Sequence, residues 1–187
     1  MFIQTEATPN PETLKFLPGK TVMDTGVLDF RAPDGAEISP LASRLFAVEG
    51  VTGIFLGSDF ISVSKDGTPW EHLKPAILGA IMEHYLSGDP VVTDPNAAPL
   101  ESDGEDYDEA DASTVAMIKE ILDERVRPAV ASDGGDIIFR AYKDGVVHLS
   151  MRGACAGCPS STMTLQMGIQ NLLRHFIPEV QEVRPVV

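Results

Sequence analysis

Nineteen consecutive residues, DPNAAPLESDGEDYDEADA at 94–112, carry eight acids and no lysine or arginine. Such a run repels itself and has little apolar surface to bury, so it reads as an extended linker. An acidic docking arm for a basic partner is the functional alternative. More than half of the formal net charge of −14 lies in this stretch, and residues 113–187 balance eight acids against eight bases. The chain of 187 residues therefore divides into residues 1–93, an acidic flexible linker at 94–112, and residues 113–187. Each flanking part has the length of one small domain.

The C-terminal part has a clear pattern. Ser113 is placed to cap a helix carrying Val115, Ile118, Leu122 and Val126 at helical spacing, and Pro128 is expected to stop it. Asp133-Gly-Gly-Asp136 leads into the strand IIFRAY; Lys143-Asp-Gly145 is a hairpin turn, and VVHLSM returns with Val147, Leu149 and Met151 on one face. Leu165, Ile169, Leu172, Leu173 and Phe176 mark a second amphipathic helix, ended by Pro178, before a last strand in EVQEVRPVV. This order, with no βαβ unit expected, predicts an α+β sandwich with helices on one face of a sheet.

The N-terminal part is less regular. FIQTEATPNPETLKFL suggests two short strands around Thr8-Pro-Asn-Pro11, and a short helix lies near Pro40–Val48. Gly53–Leu56 and Phe60–Ser64 form a hairpin around Gly57-Ser-Asp59. Thr68, Pro69 and Glu71 read as the capped start of a helix whose stripe is Trp70, Leu73, Ile77, Ile81 and Tyr85. Pro75 should kink it or break its first turn, and His72 and His84 suit its solvated flank. The fold class is thus two small α+β domains joined by an acidic flexible linker.

Charge and hydropathy narrow the function. A net charge of −14 argues against general nucleic-acid binding and against docking on anionic lipid. No apolar run approaches the ~18 residues of a membrane span, and MFIQTEATPNP resembles neither a secretory signal nor a transit peptide. Two cysteines cannot staple so long a chain, which points to a reducing compartment, the cytoplasm by default. No constellation for catalysis stands out, and the chain reads as a non-enzyme.

Chemistry concentrates in RGACAGCPSS, which holds both cysteines, Cys155 and Cys158. Pro159 suits a first helical position, placing Cys158 near an N-cap, where amides and the helix dipole favour a thiolate. Gly153 and Gly157 let the loop bend around a bound group, so both thiols are expected to be accessible. Two buried small residues are the plain alternative. A thioredoxin-type redox pair would also open a helix, but no aromatic residue precedes Cys155. A structural zinc site needs four ligands; His148 is expected to be solvated and His175 to partner the helix dipole. An iron–sulfur cluster also takes four thiolates, so any cluster bound here would be shared by two subunits across a two-fold axis. Asp133-Gly-Gly-Asp136 can be read as a metal or phosphate loop, but the stronger reading is a turn, its glycines at positive φ and its aspartates on turn amides.

The series Val126-Arg-Pro128, Asp133-Gly-Gly-Asp136, Gly153-Ala-Cys-Ala-Gly-Cys-Pro-Ser-Ser161, Gly168-Ile-Gln-Asn171 and Ile177-Pro-Glu-Val180 closely resembles the NifU-like (Nfu) iron–sulfur domain. MFIQTEATPNPETLKFLPGK, with Pro40–Val63 and Trp70–Leu86, resembles the N-terminal domain that accompanies it. The resemblance implies a carrier that binds a [4Fe–4S] cluster between two subunits, through Cys155 and Cys158 of each, and passes it to apo-enzymes. Upstream cluster-assembly proteins and a homodimer in the loaded form follow from it, and the N-terminal domain takes a partner-recognition or structural role. The separate scaffold and ferredoxin-like domains of modular NifU proteins are not in this sequence, which favours transfer over first assembly. A start at MFIQTEATPNP looks bacterial, hence cytoplasmic; the mitochondrial matrix is the eukaryotic counterpart.

Overall fold

The computed structural model describes residues 1–94, 104–156 and 159–186. It contains two compact units, Met1–Glu101 and Ser102–Val187, each mixing helices with a sheet. The central part of the expected linker, residues 95–103, lies outside the described residues.

In the first unit, β1 (Gln4–Ala7) and β2 (Thr13–Leu17) form the expected pair. Their turn is tied by Thr8, whose hydroxyl donates to the carbonyls of Asn10 and Thr13. A three-residue strand, β3 (Leu28–Phe30), was not foreseen; it pairs with β4 (Val51–Leu56), which forms the predicted hairpin with β5 (Ile61–Lys65). The sheet is antiparallel throughout, in the order β1-β2-β5-β4-β3. Helices α1 (Pro40–Phe46) and α2 (Trp70–Ser87) contribute Leu41, Leu45, Leu73, Ile77 and Ile81 to a core shared with Phe16, Ile54, Leu56 and Ile61.

Three expectations for α2 need correction. Its N-cap is Pro69 with no side-chain bond, because Thr68 turns back to Asp66 Oδ1 with both its amide and its hydroxyl. Of the kink or break expected at Pro75, the break is absent, the helix running on through it. His84 is fully buried, not solvated: it lies seven residues from Ile77 and three from Ile81, on the same buried face. Neither ring nitrogen of His84 has a hydrogen-bond partner, and Arg44 nearby is paired with Glu83 and Asp89.

The second unit has a four-stranded sheet in the order β6-β7-β8-β9. Strand β6 (Asp106–Tyr107) lies inside the acidic run, and the Tyr107 ring meets Phe139 edge-on. A 3-10 turn at Glu109–Asp111 leads into α3 (Ala112–Ile121), whose N-cap is Asp111 and not Ser113. Pro128 does not end the helix. The chain widens into a π-helical stretch at Leu122–Val126 and resumes as α4 (Arg127–Ser132). Arg127 N–H bonds Leu122 O, five residues back. A wide turn of this kind accommodates a ring that would clash with a regular helix carbonyl and removes its donor without loss.

Strands β7 (Gly135–Lys143) and β8 (Val146–Gly153) are the predicted hairpin. Helix α5 (Pro159–Phe176) then carries the chain to β9 (Glu182–Val186), which runs parallel to β8. The second unit therefore does contain a βαβ crossover, against expectation. Phe176 is exposed beneath Arg125, and Ile177 occupies the core position instead. The core joins Val115, Ile118, Leu122 and Val126 to Ile137, Val147, Leu149, Ile169 and Leu173. Each buried aliphatic of this size contributes roughly 1.5–3 kcal/mol, so this unit has a core independent of any bound group. No helix among the described residues is long and apolar enough to cross a membrane.

The buried imidazole gives the first unit a sensitivity to acid. Burial, and then the Arg44 charge, lower the His84 pKa from its ordinary 6.5, with Asp89 partly opposing. The unfolded chain therefore takes up the proton more readily, and stability is lost as pH falls below about 6.5. Trp70 is the single tryptophan and lies in the first unit, so its fluorescence reports that unit. The urea midpoint read at Trp70 should fall between pH 7 and pH 5.5, and His84→Leu should remove most of that fall. An equal fall in the variant would assign the effect elsewhere.

Candidate functional site: the cysteine loop

The loop after β8 begins at Gly153, whose φ of +60° favours glycine. Two tight bonds fold it, Cys155 N to Arg152 O at 3.3 Å and Ala156 N to Gly153 O at 3.0 Å. Ala154 N bonds Gly134 O at 3.1 Å, pinning the loop to the turn that precedes β7. From the other side, the Thr162 hydroxyl on the first turns of α5 donates to Cys155 O at 3.0 Å. Strand end, preceding turn and following helix thus all fix the same few residues.

Cys155 is 7% exposed and belongs to the apolar core. It packs over Gly135: a Cβ built on Gly135 would lie 2.6 Å from Cys155 Sγ and 2.6 Å from Arg152 O. Burial pushes the thiol up to about 12, and the negative charges of Asp133 and Asp136 add to the effect. The helix activation expected near the N-cap concerns Cys158; the accessibility expected of both thiols is not what the structure places at Cys155. The reason is position. Cys155 sits in the turn ahead of α5 with its sulfur packed against Gly135 at the start of β7. Cys158 lies outside the described residues.

The Asp133-Gly-Gly-Asp136 segment is more than a turn. Gly134 takes a φ of +82°, as expected, whereas Gly135 is extended and starts β7. Asp136 is buried and accepts from Arg127 Nε at 2.9 Å and Nη2 at 2.8 Å, in the fork geometry favoured by a guanidinium. Its Oδ1 also accepts from Ile137 N at 2.9 Å. The paired carboxylate holds the guanidinium pKa above its ordinary value. This pair ties α4 to the strand that floors the cysteine. Sequence reading missed Arg127, Gly135 and Asp136 as site residues; the run of two glycines beside an acid, one hairpin before the cysteines, was the available signal.

The remaining candidates do not gather around the loop. His148 is half-buried on β8 and His175 is exposed near the end of α5. Among the described residues no group of three or more His, Cys, Asp or Glu could hold a metal ion.

Residues 3–88 match the family model for the scaffold protein Nfu/NifU N terminal, and residues 118–184 match the NifU-like domain. The chain is 49% identical over 189 residues to the human mitochondrial NFU1 iron-sulfur cluster scaffold homolog, covering all of this chain and 72% of that protein. It belongs to the NifU-like (Nfu) family. It is also 48% identical to the mitochondrial NifU-like protein 4 of Arabidopsis thaliana, spanning 98% of this chain and 65% of that one. The solution structure of a NifU-like protein from Saccharomyces cerevisiae is 27% identical, with a TM-score of 0.45, covering 50% of this chain and 85% of that one.

In this Nfu chain the floor of the loop is testable. Gly135→Ala should destabilise the second unit by about 2–3 kcal/mol, as overpacking does, visible as faster amide exchange along β7 and β8. Exchange unchanged from the parent would show that the hairpin has room there. A second outcome concerns the thiol itself. In apo Cys158→Ala protein, Cys155 should react with iodoacetamide on the order of a thousandfold more slowly at pH 7.5 than a free cysteine. Its rate should climb about tenfold per pH unit up to pH 10. Reaction at the free-thiol rate would mean that Cys155 does not stay seated against Gly135.

Proposed function

We propose that this chain is an iron–sulfur cluster carrier and not a catalyst. Cys155 and Cys158 of two subunits hold one [4Fe–4S] cluster as cargo at a dimer interface, and the cluster passes to apo-enzymes. The observation that carries the reading is the built loop: Cys155 is held between Gly135, Gly153 and Thr162 immediately before α5, with Cys158 three residues on. Membership of the family, and the scaffold names of relatives such as the human protein, support it. Two thiols per chain against the four that a cluster takes support the sharing.

Ligation requires thiolates. Cys155 must leave its pocket and give its proton to solvent before it can bind iron, which makes loading favoured by higher pH. Release reverses this: acceptor thiolates replace the carrier's one at a time, and each freed cysteine recovers a proton. The first unit, residues 1–93 in this reading, recognises partners or supports the fold, and the acidic stretch at 94–112 links it to residues 113–187. Cluster-assembly proteins upstream and apo iron–sulfur enzymes downstream are the partners. The setting is a reducing compartment, cytoplasm or mitochondrial matrix.

A thiol–disulfide redox protein is the competing reading. The β8–α5–β9 crossover supplies the βαβ unit that a thioredoxin-type pair would accompany. The burial and raised pKa of Cys155 count against it, since a redox nucleophile needs an accessible thiolate.

Anaerobic loading with ferrous iron and sulfide, followed by native mass spectrometry, tests the reading. A dimer with the mass of one four-iron cluster is expected. Cys155→Ala and Cys158→Ala should each abolish cluster retention and leave the apo domain folded, Cys155→Ala at a cost of about 1 kcal/mol. A colourless monomer that reduces insulin disulfides would establish the redox reading instead. A zinc-loaded monomer would overturn both.

A further inference from the structure

We infer that the uncharged outer face of α5, around Met163, Met167 and Gly168, is the seam on which a second copy of this chain docks. The inference rests on the cluster-carrier reading and adds the surface that would bring two cysteine pairs together. From Ala154 to Leu173 there is no Asp, Glu, Lys, Arg or His, in a chain that is 22% charged. A surface helix of a soluble protein ordinarily turns charged side chains to solvent.

In α5 the polarity is reversed. The long polar side chains turn inward: Gln166 Nε2 donates to Val183 O at 2.5 Å, and Gln170 Oε1 accepts from Val183 N at 3.1 Å. Meanwhile Met163 is 64% and Met167 59% exposed. They lie four residues apart, on one side of the helix. Gly168 adjoins them, and nothing lies within 4 Å of where its Cβ would be. Glycine weakens a helix interior, and no packing inside this unit explains one here. A bare backbone about 100° round the helix from Met167 leaves that side of the strip open to the close approach of a second helix.

Stoichiometry and charge name the occupant. The chain has two cysteines and a cluster takes four thiolates, so a shared cluster sets two Cys155–Cys158 loops face to face. Helix α5 starts one residue after Cys158, and Met163 stands roughly 6 Å along its axis from Pro159. A two-fold axis through the cluster therefore presents the same α5 face of each copy to the other. Residues 113–187, which carry α5, balance eight acids against eight bases, and this strip has no charged side chain of its own. Two copies can therefore meet on it without opposing carboxylates.

The test uses the full chain, loaded anaerobically, with dimerisation followed by sedimentation velocity and iron by native mass spectrometry. Met163→Glu combined with Met167→Glu places two carboxylates from each copy in the seam. Because both methionines are exposed, the apo variant should keep parental circular dichroism. Its loaded dimer should dissociate at least tenfold more readily, with cluster content falling in step. Leu86→Glu, at a still more exposed apolar site on α2, should leave the loaded dimer unchanged. If the double variant forms loaded dimers of parental strength, the seam lies elsewhere and this inference is overturned. That holds also if the same variant is slower only in passing its cluster to apo-ferredoxin, which would make the face an acceptor site. If the parent itself never holds a cluster, the carrier reading fails, and that failure is read without any variant.

Discussion

The missing side chain at Gly135 is the constraint on which the cysteine loop depends. With hydrogen in place of a methyl group, the start of β7 comes close enough to β8 for the Cys155 sulfur and the Arg152 carbonyl to share that space. The surrounding bonds then converge on one geometry. Gly134 holds Ala154, Thr162 holds the Cys155 carbonyl, and the Arg127–Asp136 fork ties the preceding helix to the same strand. The cysteine loop is thereby mounted on a base fixed from three sides.

The two units solve their stability problem alike, each with its own apolar core. In the second unit that core is formed chiefly by aliphatic side chains of α3, the hairpin, α5 and β9. This differs from small metal modules whose fold is the metal site. An aliphatic core of this kind does not need a bound group to hold the fold.

Elements with strong local signals were legible in the sequence. The β7–β8 hairpin was readable because Asp144 and Gly145 both take positive φ, which the Asp-Gly pair announces. The apolar period of α5 likewise gave Ile169 and Leu173. Strands β3 and β6 were not readable: three and two residues long, they are too short for any alternation and exist only through their neighbours. The parallel pairing of β9 depends on a crossover that local pattern does not encode. His84 was misplaced because histidine ordinarily marks a wet surface, whereas its spacing from Ile77 and Ile81 decided its burial. At the site, the spacing of Cys155 and Cys158 was plain. The depth of Cys155 was not, because it depends on a glycine twenty residues earlier meeting it across a hairpin.

The widened turn at Leu122–Val126 has a consequence for how this part of the chain can change. A π turn is an α-helix holding one residue too many, and each residue advances a helix by about 100°. A regular helix carrying the same residues would be out of phase by that angle, with Val115 and Ile118 rotated off the core. The wide turn absorbs the extra residue and keeps the apolar faces before and after it aligned. It is therefore the place where this helix could lose one residue and keep its buried side.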